Sequence, residues 1–381
     1  MRIGYCTNVH AGADWRQTRA HLEQHAVEVR KLFAPTGTMG IGLWLSANSA
    51  HTLVGDRGVP EFAAWLGENG LLPFTLNGFP YGDFHQPVVK HAVYEPTWWQ
   101  DERREYTQQL VEILDQLLPP GEEGSISTLP IAWGRPMPDR EKLAEAGRQL
   151  QRLADYLADL EQRRGRLIYV CLEPEPGCVF DTTDGAIAFF EQYVFSGPNA
   201  DRARRYIRIC HDVCHAAVMF EDQAEVFRKL AAAGILVGKV QVSAAVRANF
   251  AQASDPAAML AQLRTFNEPR YLHQTVVRSP DGATTFYEDL PPALEAAAPQ
   301  GEWRVHFHVP IYLPAFGHLQ TSQAEILASL QAAQAHSQVT HFEVETYAWG
   351  VLPAELKQPT LATGIAQEMR WFADQTAAAP R

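Results

Sequence analysis

The chain has 381 residues, enough for one large barrel or two ordinary domains, with 46% hydrophobic and 20% charged residues. Its net charge of −12 argues against a nucleic-acid or anionic-membrane surface, since both favour basic patches. No signal-peptide pattern and no membrane-length apolar run is evident, and the five cysteines include no CxxC pair. Buried, reduced thiols and a cytoplasmic location are therefore expected.

The first strand is expected over residues 2–9, followed by a loop with His10, Gly12, Asp14 and Trp15. Residues 16–33 carry a helical pattern closed by Pro35 and Gly37. Met39–Ser46 reads as the second strand, followed by helical segments to Asn69, with Gly70 as a stop. Leu71–Pro80 is the third strand, and the aromatic, glycine-rich loop Asn77–His85 after it has the character of a pocket wall or lid. A helix over Asp101–Leu118, a strand from Gly124 and a charged helix over about 139–164 come next.

Leu167–Cys178 begins as a buried strand and ends in Glu173 and Glu175, each followed by a proline that stops ladder pairing. Tyr206–His215, Gly234–Ala245, Trp303–Pro310 and Thr340–Tyr347 are further strand segments, and residues 246–303 interrupt the strand–helix rhythm. A terminal helix is expected over about 360–376.

Alternating strand and helix predicts a parallel sheet covered by helices. Several strands carry polar residues on one alternating face: Thr75 and Asn77, Cys171 and Glu173, Cys210 and Asp212, Lys239 with Gln241 and Ser243, and Glu343 with Glu345. In an open sheet both faces meet helices and this polarity is costly. In a closed (β/α)8 TIM barrel one face points inward, and its polar residues near the C-terminal mouth form the site. A single TIM-barrel domain over 1–381, with an insertion around 246–303, is the expected architecture.

Four strand ends then offer metal-type donors: Glu173 with Glu175, Asp212 with His215, His306 with His308, and Glu343 with Glu345. Mixed carboxylate and imidazole donors suit Mn²⁺, Zn²⁺, Co²⁺ or Fe²⁺, with Mg²⁺ where oxygen dominates. Several inward carboxylates repel one another unless a cation neutralises them. Any one strand-end glutamate is more often a salt-bridge partner, and His215 by itself could cap a turn; the four together point to a shared polar site. Glu175 and Glu343 are the members of their pairs expected to play supporting roles. Asn77, Lys239 and His308 are candidate substrate contacts.

With these residues in view, the chain resembles the xylose isomerase-like TIM-barrel superfamily of sugar isomerases, epimerases and endonuclease IV. The resemblance implies a divalent metal ligated from four late strands, with Glu173, Asp212 and Glu345 at three of the positions. Asp212-Val-Cys-His215 resembles the Asp-x-x-His element of the epimerase branch, whose histidine contacts substrate. The fourth ligand is open: Gln241 stands where the epimerases have histidine, and His306 or His308 offers a replacement. Across nearly the whole chain, GYCTNVHAG, LNGFPYGDFH, GSISTLPIAW, LEPEPGC, HDVCHAAV, GKVQVSAA, YLHQT, HFHVPI and FEVETYAWGVLP resemble the metabolite traffic family EboE. That likeness implies handling of a small metabolite and a functional link to a prenyltransferase-like membrane protein, and barrels of this kind often form oligomers.

Three functions follow as expectations. The first is a metal-dependent isomerase or epimerase of a sugar-like polyol or hydroxy-carbonyl compound, with Glu173 or Glu345 as proton acceptor. The second is a metabolite-binding protein that keeps the barrel and metal site without turnover. Phosphodiester hydrolysis is a poor match for the acidic charge.

Overall fold

The computed structural model describes residues 1–296 and 298–378. Eight strands lie where the buried segments predict them: β1 (Arg2–Tyr5), β2 (Met39–Trp44), β3 (Leu71–Asn77), β4 (Gly124–Thr128), β5 (Ile168–Leu172), β6 (Ile207–Asp212), β7 (Val237–Val242) and β8 (His341–Val344). They pair in parallel in the order β1-β8-β7-β6-β5-β4-β3-β2. A bridge between Cys6 and Gly42, just past β1 and within β2, closes the ring. This is the (β/α)8 barrel that inward polarity anticipates.

The helices between strands bury one apolar stripe each. The longest, Arg140–Arg164, turns Ala146, Leu150, Leu153, Leu157 and Leu160 inward at the three- and four-residue spacing of a helical face. Asp139 caps its first turn, and Gly165 ends it at φ 67°, a conformation that favours glycine. The helical run of 15–33 contains a π turn at Leu22–Ala26. A short helix, Ala200–Tyr206, fills the connection to β6, where charge obscured the pattern. No helix among the described residues is long and apolar enough to cross a membrane.

The barrel interior is polar at mid-height. Lys239 on β7 lies 2.6 Å from Glu343 on β8, and both side chains are fully enclosed. Lys239 also donates to Ser127 Oγ at 3.1 Å. Gly42 makes room for this pair: a Cβ there would fall 1.3 Å from Glu343 Oε1. All five cysteines are buried, and none is in a disulfide.

The excursion between β7 and β8 is larger than its sequence indicates, running to Thr321 rather than residue 303. It forms an antiparallel sheet of Thr284–Tyr287, Thr275–Arg278, Glu302–Val305, Val246–Asn249, Leu319–Thr321 and Ala315–Phe316, in that order. The strand expected over Trp303–Pro310 stops at Val305. His306 and His308 therefore leave an inserted strand rather than a barrel strand, and reach the barrel mouth from the side.

Candidate metal centre

The C-terminal ends of β5, β6 and β8 deliver Glu173, Asp212 and Glu345 to one place. Each offers an oxygen within 4.8 Å of the other two. Two unit charges at that separation repel by about 3.5 kcal/mol at an effective dielectric constant of about 20. All three are almost fully buried. Burial and the neighbouring Glu345 and Asp212 push the Glu173 carboxyl well above its ordinary range. Burial, then Asp212 and Glu343, push Glu345 up to about 8.

The hydrogen bonds orient these groups while leaving lone pairs free. Asp212 Oδ1 accepts from the His215 amide and from Ser243 Oγ, both at 2.8 Å. Glu345 Oε1 accepts from Asn8 Nδ2 at 2.7 Å and Asn77 Nδ2 at 3.0 Å. Glu173 Oε2, Asp212 Oδ2, His308 Nε2 and both amide atoms of Gln241 are buried without a hydrogen-bond partner. Such groups are costly unless something else satisfies them.

Three histidines point the same way, and their tautomers follow from their partners. His308 Nδ1 donates to the Glu345 carbonyl at 2.6 Å, and His215 Nδ1 donates to the Pro174 carbonyl at 2.9 Å. Gln274 Nε2 faces Glu175 Oε1 and the Pro176 carbonyl, both acceptors, so its Oε1 is what meets His306 Nδ1 at 2.7 Å. Each Nδ1 therefore carries the proton, and each Nε2 presents a lone pair. His215 Nε2 and His306 Nε2 then meet lone pair to lone pair at 3.1 Å. His308 Nε2 faces Asp212 Oδ2 at 3.9 Å, a gap that two coordination bonds of about 2.0–2.2 Å can span. Carbonyl-anchored Nδ1 atoms behind bare Nε2 atoms are the usual backing of metal-bound histidine. The donor set fits a divalent cation.

Four overlapping groups emerge among the described residues: Glu173, Asp212 and Glu345; Asp212, His215 and His308; Glu175, His215 and His306; and Cys214, His306 and His308. His308, expected at the substrate, stands beside Asp212. His306, expected among the metal ligands, falls in the groups with Glu175 and His215 and with Cys214 and His308, 3.8 Å from Glu175 Oε1. Gln241 pairs in register with Asp212 on one side and Glu343 on the other. Asn77 lines the cavity and holds Glu345.

Lys239 departs from expectation: it is sealed below the site against Glu343 and Ser127, with no surface left to meet a substrate. Glu175, expected in a supporting role, lines the cavity and accepts from Tyr94 Oη at 2.8 Å. Burial pushes its carboxyl up to about 7, with the Tyr94 and Gln274 hydrogen bonds pulling the other way. Asn8, Tyr94 and Gln274 are further members that sequence reasoning missed. Only the loop positions of Asn8 and Gln274, just after β1 and just before Thr275, hinted at them.

The cavity over these groups has a volume of about 70 Å³, and Phe79, Pro80, Phe84 and Val89 form its apolar side. This is the wall that the Asn77–His85 loop predicts.

No protein-family model matches the chain, and no curated relative matches it. Solved structures do. A protein from Anabaena variabilis with a provisional sugar phosphate isomerase/epimerase description aligns over 99% of this chain and 98% of its own, at 12% identity and a TM-score of 0.51. AsbF from Bacillus anthracis, provisionally assigned as a 3-DHS dehydratase of petrobactin synthesis, aligns over 98% of this chain and 99% of its own, at 14% identity and a TM-score of 0.50. The shared fold is the (β/α)8 TIM barrel. At these identities the likeness concerns the fold, and the chemistry has to be argued from the side chains.

Proposed function

We propose that the chain is a divalent-metal-dependent isomerase or epimerase acting on a small polyol or hydroxy-carbonyl compound. One observation carries this reading: buried acceptor atoms of Glu173, Asp212 and His308 converge with no donor among the described residues to satisfy them. Glu173, Asp212, Glu345 and His308 are the residues that would hold the ion, with Mn²⁺, Zn²⁺, Co²⁺ or Mg²⁺ as candidates. A bound ion there neutralises the carboxylates and polarises a carbonyl oxygen.

The rest falls to the chain itself. Glu345 is fixed by two side-chain amides and borders the cavity. Together with Glu173 it offers a carboxylate to remove and return a proton on a carbon beside the carbonyl. Tyr94 and Glu175 present polar atoms to substrate hydroxyls, while Phe79, Phe84 and Val89 exclude bulk water from that side.

A second reading, a metabolite-binding protein of the EboE kind without turnover, is favoured by Gln241, an uncharged amide where the epimerases place histidine. Two measurements separate these outcomes. Metal content by mass spectrometry should be stoichiometric in the wild type and fall in Glu173→Ala and Asp212→Ala; full retention in both variants overturns the site. Solvent deuterium should enter a sugar or polyol substrate in the presence of Mn²⁺ or Co²⁺. Metal binding with no exchange across a broad panel supports the carrier.

A further inference from the structure

A second cavity of about 420 Å³ backs onto the first. Tyr271 and Tyr347 line both, with ring centroids 5.0 Å apart in an edge-on contact. Neighbours in sequence also divide between them: Asn8 and Phe84 face the inner cavity, while Val9 and His85 face the outer one.

The two have opposite chemistry. The inner cavity is bordered by Glu173, Glu175 and Glu345. No carboxylate lines the outer one among the described residues; it gathers His10, His21, His25, His85, Arg270 and Lys357. That is anomalous in a chain with 44 acidic and 32 basic residues. Arg270 Nε is buried there without a hydrogen-bond partner.

The helix Leu361–Ala378 begins at the same wall, with Pro359, Thr360 and Leu361 all in the lining. Thr360 Oγ1 caps the Thr363 amide and the Thr360 carbonyl takes that of Gly364, which leaves the Leu361 and Ala362 amides at this end, where the helix dipole favours an anion. The four histidines do not form a metal-binding group of the kind found in the inner site. A guanidinium, an ammonium, imidazoles and a helix N-terminus around one space have an oxyanion as their common ligand.

We propose that the outer chamber is a phosphate subsite. It would take the phosphate of the same compound whose hydroxy-carbonyl end enters the inner cavity, so that the substrate class is a phosphorylated polyol or sugar. This rests on the metal-site reading for the inner end only. Tyr271 and Tyr347 line both spaces, so the outer chamber adjoins the inner one.

The test is calorimetric titration of the full chain with inorganic phosphate, before and after removal of metal with EDTA, alongside Arg270→Gln and Lys357→Gln. Binding should survive EDTA, and each substitution should weaken it by about tenfold, as for the loss of one charge-assisted hydrogen bond. Lys357 is exposed, so its variant tests the idea even where Arg270→Gln disturbs folding. Phosphate binding that vanishes with EDTA and survives both substitutions would place the anion on the inner metal and overturn the proposal. So would an acetate affinity equal to that of phosphate, or no phosphate binding up to ~10 mM. Metal content is measured separately, so failure of the inner site and failure of the outer one give different results.

Discussion

The enclosed pair of Lys239 and Glu343 gives the sharpest test of how the barrel interior is divided. Both side chains have no exposure, and the 2.6 Å contact is the main compensation for two charges taken out of water. Replacing Lys239 by Met leaves Glu343 buried without its cation, and Glu343→Leu leaves the ammonium stranded. Each single change should cost about 3–5 kcal/mol, the usual penalty for breaking a buried pair. With an unfolding entropy of about 2.1 cal/mol/K per residue, the 381-residue chain has a slope near 0.8 kcal/mol/K. Each variant should therefore melt about 4–6 °C lower. The double variant should recover much of that loss, because it removes both charges together. Thermal unfolding followed by circular dichroism, at fixed pH and metal content, measures all four corners of this cycle. Single variants that melt within about 1 °C of wild type, or a double variant showing the sum of the two losses, would refute the assignment of Lys239 to the interior. Phosphate affinity should stay unchanged throughout.

Other consequences are equally direct. Gly42→Ala should drive the Glu343 carboxylate off Lys239 and destabilise the barrel by about 1–3 kcal/mol, and combining it with Glu343→Ser should relieve the clash; an unaltered melting temperature in Gly42→Ala argues against the cradle. Burial raises Glu345 to about 8 and Glu175 to about 7 in the folded protein, so between the unfolded carboxylate value and pH 8 the folded state holds more protons. The stability this contributes is complete below about pH 4.3 and is lost as pH rises through 7 to 8, so the metal-free protein should melt progressively lower across that window. Added Mn²⁺ should flatten or reverse the slope, and a metal-free melting temperature that climbs with pH would contradict the geometry. His308→Gln should weaken metal binding by about tenfold or more and His306→Gln by less; competition with a chelating dye gives the order, and the reverse order would move the fourth ligand to His306.

The barrel was legible because its strands repeat one signal, an apolar outward face with polar residues inward, and Thr75, Cys171, Asp212 and Gln241 fall on that pattern. Depth was not legible. Lys239 and Gln241 differ by two residues and share a face, yet the first lies one layer lower, against Glu343 of β8 and Ser127 of β4. Alternation gives the face of a strand and says nothing of how far up the barrel a side chain sits. The inserted sheet was only half legible, since strands of two to four residues are too short to show a period. The roles of His306 and His308 depended on a chain path that leaves the strand at Val305, and Glu175 looked structural because Pro174 and Pro176 flank it.

The inserted segment places Gln274, His306 and His308 at the mouth together, whereas the carboxylates come from the ends of three separate barrel strands, β5, β6 and β8. Although His215 follows β6, two of the three imidazoles, His306 and His308, therefore come as one block. Exchange of a single stretch between β7 and β8 would replace those donors in one event and leave the carboxylates in place. On such a scaffold, metal preference and reaction could diverge between relatives without any change in the eight strands.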